Sequence, residues 1–273
     1  MQDLFNFSDY AQLLPLVQNS LLAGALLGLV GGLIGIFVMT RDMSFAVHGI
    51  SELAFAGAAF ALLLGFDVLT GSIFGSLIAA ILIAVLGARA RERNSIVAVL
   101  MPFGLGLGIL ALALYPGRAA NKFGLLTGQI IAIDSPQLGS LIAISIVVLL
   151  ALLLIWRPLT FASLDSEVAA ARGVPTRALS LGFMVLLGLS VAVSVQIVGA
   201  LLVLSLLVTP AAAALRVTSS QLLAPILSVV FAVVSVVGGI LLSLGGGLPI
   251  SPYVTTVSFL IYLGCRVIAK VRK

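Results

Sequence analysis

The sequence predicts an all-α protein, a polytopic bundle of about nine transmembrane helices. Of its 273 residues, 62% are hydrophobic and only 8% are charged, whereas a soluble domain carries roughly 25% charged residues. The apolar residues are grouped in runs of about 20, the length at which a helix crosses a bilayer. The basic residues gather between alternate runs, as cytoplasmic loops of membrane proteins do. Together these observations exclude a soluble globular domain.

Nine apolar segments are candidate spans, each of roughly 20 residues. They lie at 16–39, 44–65, 69–88, 95–115, 138–156, 178–195, 197–215, 221–243 and 252–269. Residues 178–215 form one apolar block that only Ser194 and Gln196 interrupt, so the block is either two spans or one span and a re-entrant piece. We therefore expect an extracytoplasmic segment at 1–15, a transmembrane domain at 16–269 and a basic tail at 270–273.

The basic residues predict the orientation of the bundle. With the N-terminus outside and alternating spans, the basic residues outside are Arg118 and Lys122. The other twelve fall inside: Arg41, Arg89, Arg91, Arg93, Arg157, Arg172, Arg177, Arg216, Arg266, Lys270, Arg272 and Lys273. Because short cytoplasmic loops are enriched in Lys and Arg, we expect the N-terminus outside and the C-terminus in the cytoplasm.

The first span carries glycines at four-residue intervals, Gly24, Gly28 and Gly32, and a second pair at Gly31 and Gly35. Small residues at this interval let helix backbones approach closely within lipid. The pattern predicts close helix packing and no chemistry.

The second span holds the chain's only histidine, His48, and a glutamate, Glu52, four positions later. Residues i and i+4 share one face of a helix. An ionisable group inside a membrane costs ~3 kcal/mol or more, so it usually faces a bundle interior or a wet path. Imidazole and carboxylate suit a divalent transition metal. The pair is either a weak metal site on a path or a hydrogen bond between side chains that stabilises the bundle.

Other polar residues within predicted spans are candidates for lining a path: Ser51, Ser194, Gln196 and Ser205. Serine and threonine in transmembrane helices often hydrogen-bond neighbouring helices instead. Both roles stay open at these positions.

The loop 157–177 is predicted to contain a helix of about two turns. Asp165 is the expected N-cap, Glu167 lies in the first turn, and Gly173 provides the stop signal. A helix this short is marginal in water. It needs a surface, which is the membrane, its own bundle or a partner protein.

Several enzyme classes are excluded by missing motifs. The sequence contains no G-x-x-x-x-G-K-[ST] motif, so any ATP must be hydrolysed by another chain. A single histidine excludes H-E-x-x-H, and the single Cys265 excludes an intramolecular disulfide.

Four stretches resemble the permeases of metal-type ABC transporters, which import zinc, manganese or iron. Val198 to Ala214 resembles the signature V-G-x-L-L-V-x-x-L-L-x-x-P-A-x-x-A, and 164–173 resembles the F-D-x-x-x-A-x-x-x-G loop that contacts the ATPase. Asn121 to Gly124 resembles the start of L-F-G-x-I-L, and Met43 to Gly57 resembles the second span. The resemblance extends from about residue 16 to 268.

The resemblance implies a homodimeric permease in a bacterial cytoplasmic membrane. Its partners would be a cytoplasmic ABC ATPase and an extracytoplasmic metal-binding protein, with no nucleic acid. The chain would bind no cofactor and catalyse no reaction, because the partner uses the ATP. The residues expected to couple to the ATPase are Leu164, Asp165, Glu167, Ala169 and Gly173.

The same resemblance implies a metal site on the second span. The family has an aspartate followed by a histidine at i and i+4, whereas this chain has His48 and then Glu52. The order is exchanged, but one imidazole and one carboxylate are kept on one helix face, so we expect these two residues to be metal ligands.

Two alternatives remain from sequence. In the first, the chain is an ABC permease whose substrate is a metal chelate or a small organic solute instead of a free ion. A stand-alone secondary transporter or channel needs no docking helix and often contains an inverted repeat, and no repeat is evident here.

Overall fold

The structure, a computed structural model, describes residues 14–87, 90–117, 133–245 and 250–271. The predicted features that lie outside these ranges are the N-terminal segment up to residue 13, Arg89, the stretch 118–132 with Arg118, Lys122 and Asn121 to Gly124, and the final Arg272 and Lys273.

The described residues form helices and contain no strand. A 3-10 turn at Leu14–Val17 leads into α1. The helices are α1 (Gln18–Thr40), α2 (Ser44–Leu64), α3 (Val68–Leu86), α4 (Ala90–Leu114), α5 (Ser135–Leu164), α6 (Ser166–Ala171), α7 (Thr176–Val198), α8 (Ala200–Val217), α9 (Leu223–Leu244) and α10 (Ile250–Val271). This confirms the predicted all-α fold class.

Eight of these helices are long and apolar enough to cross a membrane: α1, α2, α3, α4, α5, α7, α9 and α10. The helix α8, which corresponds to the predicted span 197–215, has a shorter apolar stretch, Leu202–Val217. The block 178–215 is therefore two helices, and whether α8 crosses fully stays a prediction. The break is at Gly199, whose φ of 82° and ψ of 156° suit glycine alone.

The predicted ends of the fifth span differ from the helix that forms. The apolar run was expected to end at 156, but α5 continues for eight residues to Leu164, through Pro158. Hydropathy reports where the membrane ends, whereas helical hydrogen bonding continues beyond it into the polar region. At its start, Asp134 caps the helix through a capping box with Gln137.

The glycine stripes of α1 pack against two helices. A Cβ atom at Gly32 would lie 2.6 Å from the Cα of Val229 on α9, and one at Gly28 would lie 2.9 Å from the Cα of Val233. Gly35 packs in the same way against the backbone of Leu207 on α8. The predicted close packing is confirmed on both faces of the helix.

These contacts also give helix directions. Successive glycines along α1 meet earlier residues of α9 but later residues of α8, so α9 is antiparallel to α1 and α8 is parallel to it. One end of the bundle, the basic end, carries the turn at Arg41, the start of α4 and the end of α5. There the Arg93 Nη2 donates to the carbonyl of Arg41 over 3.0 Å, and the Arg41 Nη1 donates to the Ser163 Oγ over 3.3 Å.

Candidate functional site

Helix α2 is a central helix of the bundle. Most of its residues between Ala46 and Ala61 are buried, and it contacts α3, α4, α7 and α8. The close approach depends on glycine, because Gly57 meets the backbone of Gly71 and Gly75 on α3. A Cβ atom at Gly104 on α4 would lie 3.1 Å from the carbonyl carbon of Glu52. The backbone around Glu52 is thus held tightly.

His48 and Glu52 lie together on α2, as the sequence predicts. The His48 Nε2 is 3.8 Å from the Glu52 Oε1, which is longer than a hydrogen bond. Glu52 is only 4% exposed, while the side chain of His48 is 26% exposed. The imidazole therefore lies at the edge of the buried region, and the carboxylate lies inside it.

The remaining polar atoms of the pair lack partners. The His48 Nδ1 and the Glu52 Oε2 are buried, and neither makes a hydrogen bond within the described part of the chain. A buried polar atom without a partner costs about 1–3 kcal/mol, and such atoms are rare enough to need an explanation. A bound cation would be one, because it can accept a lone pair from a carboxylate oxygen and one from an imidazole nitrogen.

One chain provides only part of a coordination shell. Among the described residues, no group of three or more His, Cys, Asp or Glu side chains could hold a metal ion. The hydroxyl of the neighbouring Ser51 donates to the backbone carbonyl of His48 over 2.8 Å. Among the described His, Cys, Asp and Glu side chains, His48 and Glu52 are therefore without a third member that could complete the site.

The predicted path-lining residues are in different environments. Ser51 and Ser194 are buried, and the hydroxyl of Ser194 donates to the carbonyl of Ser190 over 2.7 Å. Gln196 and Ser205 are half-buried, on α7 and α8. The hydroxyls of Ser51 and Ser194 therefore donate hydrogen bonds within their own helices. That these four residues line a path stays a prediction.

The loop 157–177 contains the helix that the sequence predicts. The Asp165 Oδ1 accepts hydrogen bonds from the backbone of Glu167 and Val168 at 3.0 and 2.9 Å, and so caps α6. Gly173 follows the helix with a φ of 82°, the left-handed conformation of a helix stop.

Helix α6 rests on its own bundle through one residue. Ala169 is fully buried in a small apolar cluster with Ala162 and Leu179. The opposite side is open, with Leu164 and Val168 both exposed. The short helix is thus anchored through Ala169, while Val168 on α6 and Leu164 at the end of α5 are exposed.

Comparison with known proteins agrees with this architecture. Residues 13–269 match the model of the ABC 3 transport family. The chain is 29% identical to the manganese transport system membrane protein MntC of Halalkalibacterium halodurans, over 89% of this chain and 84% of that protein. It is 32% identical to the manganese import system permease protein ScaB of Streptococcus pneumoniae, over 76% of this chain and 74% of that protein.

The fold is also found among solved structures. PsaBC from Streptococcus pneumoniae, solved in complex with Fab, superposes with a TM-score of 0.85 at 24% identity, covering 97% of this chain and all of the matched chain. An inward-facing ABC transporter classed as of the metal-chelate type gives 0.70 at 21% identity, covering 90% of this chain and 83% of its own. The family match over nearly the whole length, joined to the helical bundle and its short loop helix, shows that this chain belongs to the ABC 3 transport family.

Proposed function

We propose that this chain is the permease subunit of an ATP-driven ABC importer for a divalent transition metal ion, with manganese as the first candidate. The observation that carries the proposal is the buried pair His48 and Glu52, whose Nδ1 and Oε2 atoms lack partners in the described structure. The manganese relatives support the choice of metal. Carboxylate oxygen is a ligand that manganese favours, and imidazole accepts most divalent transition metals.

The pair suits a site from which the ion must leave. A closed structural site has about four protein ligands, whereas the described residues of one chain supply this pair. Weak, incomplete coordination is what a conduction path needs, because an ion that is bound too well does not move on. A second copy of the chain that contributes the same pair would double the ligand set, and we propose a homodimer for this reason.

The position of the pair favours the path over initial capture. Glu52 lies eight residues beyond Ser44, the first residue of α2, about 12 Å along the helix at 1.5 Å per residue. This is close to the middle of a ~30 Å hydrocarbon core. Capture from outside would fall to an extracytoplasmic metal-binding protein, and the ion would reach the pair afterwards.

The partner on the other side is a cytoplasmic ATPase that docks on α6. The predicted coupling residues Leu164, Asp165, Glu167, Ala169 and Gly173 divide between two tasks. Ala169, Asp165 and Gly173 shape and seat the helix, while Leu164 and Glu167 are exposed for contact. This assignment places the basic end of the bundle in the cytoplasm, in agreement with the positive-inside rule.

A metal chelate is the second candidate substrate. It is favoured by the likeness to a transporter of the metal-chelate type. A chelate brings its own ligands and would not need His48 and Glu52. The two candidates therefore differ in whether transport depends on this pair.

The test is the metal content of cells that express the permease with its ATPase and binding protein. The variant is His48→Ala with Glu52→Ala, and the control is Ser235→Ala, which changes a buried polar residue on α9 away from the pair. Elemental mass spectrometry should show manganese accumulation that falls about tenfold or more in the double variant, as loss of metal-site groups does, and not in the control.

Membrane abundance is measured in parallel, so that a folding defect is recognised. Equal manganese accumulation by the double variant at equal abundance would contradict the site. Failure of the wild type to accumulate any of manganese, zinc or iron would contradict a free ion as the substrate and favour a chelate.

A further inference from the structure

A second polar site lies at the basic end of the bundle, away from the His48 and Glu52 pair. It is a cavity of about 710 Å³ where α3, α4, α5 and α7 meet. Three arginines line it: Arg41 from the turn before α2, Arg93 from α4 and Arg177 from α7. The hydroxyl-bearing residues Thr176 and Ser180 line it as well. Its polar lining consists mainly of groups that can donate hydrogen bonds.

The arginines lack acidic partners. Within the described ranges, none of the three forms an ion pair with a carboxylate. Asp42 is the acidic residue whose charge acts on Arg93. The residues that line the cavity include three arginines and no acidic residue, so the lining has an excess of positive charge.

Two of the arginines also keep donors unused. The Nε atoms of Arg41 and Arg93 are buried and have no hydrogen-bond partner within the described residues. Burial and the neighbouring Arg93 lower the pKa of Arg41 from its ordinary value. Two like charges held together with free donors are costly unless an anion joins them. Guanidinium groups bind phosphate oxygens through paired hydrogen bonds.

The cavity also has an apolar side that opens laterally. Val85 on α3 and Leu181 on α7 line it and are 66% and 41% exposed. Both helices are long and apolar enough to cross a membrane, so exposed apolar side chains on them suit contact with lipid. The volume lies within the range of about 300–1,000 Å³ that holds small-molecule ligands. An arginine-lined chamber beside a lipid-facing apolar wall suits a headgroup whose acyl chains continue along α3 and α7.

We propose that this cavity is a binding site for a phosphate group, and that its source is the headgroup of an anionic membrane lipid. Basic pockets between transmembrane helices at the membrane surface bind such headgroups. The phosphate would join Arg41, Arg93 and Arg177, and so connect the turn before α2 with the first turns of α4 and α7. The lipid would thereby hold the basic ends of three helices in register.

The test is a titration of the purified full-length chain in detergent, with bound ligand counted by native mass spectrometry. The ligands are short-chain phosphatidylglycerol, short-chain phosphatidylcholine and inorganic phosphate. The variant is Arg177→Gln, because Arg177 is exposed and its loss should leave the fold intact. The control is Arg266→Gln on α10, an exposed arginine with the same charge change that does not line the cavity.

Phosphatidylglycerol should bind the wild type more tightly than phosphatidylcholine, and Arg177→Gln should weaken its binding about fivefold, the effect of one basic residue near an anionic headgroup. Arg266→Gln should change it less than twofold. The double variant Arg41→Gln with Arg93→Gln should lose the bound lipid, and its melting temperature shows whether it is folded.

Two results separate the source of the phosphate from the existence of the site. If inorganic phosphate binds with the same dependence on Arg177 and phosphatidylglycerol does not, the site holds a soluble phosphate and the lipid assignment is wrong. If Arg177→Gln and Arg266→Gln weaken lipid binding equally, or if neither ligand binds with any dependence on Arg177, the proposed site does not exist.

Discussion

Two carboxylates in this molecule occupy opposite environments. Glu52 is buried in the middle of α2, 3.8 Å from His48, and its Oε2 has no hydrogen-bond partner among the described residues. Asp165 is exposed at the start of α6, and its Oδ1 accepts two backbone hydrogen bonds. An oxygen of the exposed acid is thus used by local structure, whereas an oxygen of the buried acid has no partner there. A buried polar atom that stabilises nothing around it points to a ligand, and a satisfied one points to folding.

The comparison depends on the close packing of α2 against α3 and α4. The largest expected effect on stability comes from disrupting that packing. Gly57→Ala places a Cβ against the backbone of Gly71. Because backbone cannot move aside as a side chain does, we expect a loss of about 1–3 kcal/mol or more. Gly106→Ala on α4 is the control, since nothing lies within 4 Å of a Cβ there. Melting temperatures in detergent should fall for the first variant only; equal falls would contradict the predicted packing.

Glu52→Leu sharpens the comparison by separating stability from transport. Removing a buried, unpartnered carboxylate relieves a penalty of about 1–3 kcal/mol, so we expect an unchanged or higher melting temperature together with lost metal accumulation. Thermal unfolding and elemental mass spectrometry on the same preparation measure both. A clear drop in melting temperature would mean that Glu52 stabilises the bundle, and the metal assignment would lose its support.

Asp165→Ala should change the stability of the whole protein little and weaken the contact with the ATPase strongly. The loss of an N-cap costs about 1 kcal/mol locally. We expect little change in melting temperature and weaker co-purification of the ATPase. Asp165→Asn is the matched control, because asparagine caps a helix as well as aspartate does. If Asn behaves like Ala, the charge and not the cap is what the partner contacts.

The smallest expected effect concerns a third carboxylate, Asp67, which caps α3 at the exposed end of α2. Hydrogen bonds from the side chain and backbone of Thr70, at 2.7 and 2.8 Å, lower the pKa of Asp67. A lowered folded pKa means that the charge stabilises the fold at neutral pH and that this stability is lost as the pH falls through that pKa. The melting temperature of Asp67→Asn should therefore lie slightly below that of the wild type at pH 7 and converge with it as the pH falls through the lowered pKa of Asp67. A constant difference would contradict this linkage.

The sequence predicts local features of this protein well. The cap at Asp165, the stop at Gly173 and the close packing of α1 through Gly28 and Gly32 follow from rules about neighbours in the chain, and the structure confirms them. The spacing of His48 and Glu52 also fixes their shared face. These features need no knowledge of what lies across the bundle.

Tertiary context decides the features that the sequence does not predict. Ser51 and Ser194 are polar residues in apolar runs, but nothing in their spacing shows that their hydroxyls bond to their own helices. Arg41, Arg93 and Arg177 are distant in sequence, and only the fold gathers them around one cavity. In the sequence alone, these arginines indicate only which ends of the spans lie in the cytoplasm.

The length of α5 has a mechanical consequence. Its 30 residues measure about 45 Å, roughly 15 Å more than the hydrocarbon core that it crosses. The part of α5 beyond the core ends at Leu164, directly before α6. Within it, the Ser163 Oγ accepts a hydrogen bond from the Arg41 side chain. Arg41 lies in the turn that precedes α2, so this hydrogen bond joins the end of α5 that carries α6 to the start of the helix that bears His48 and Glu52.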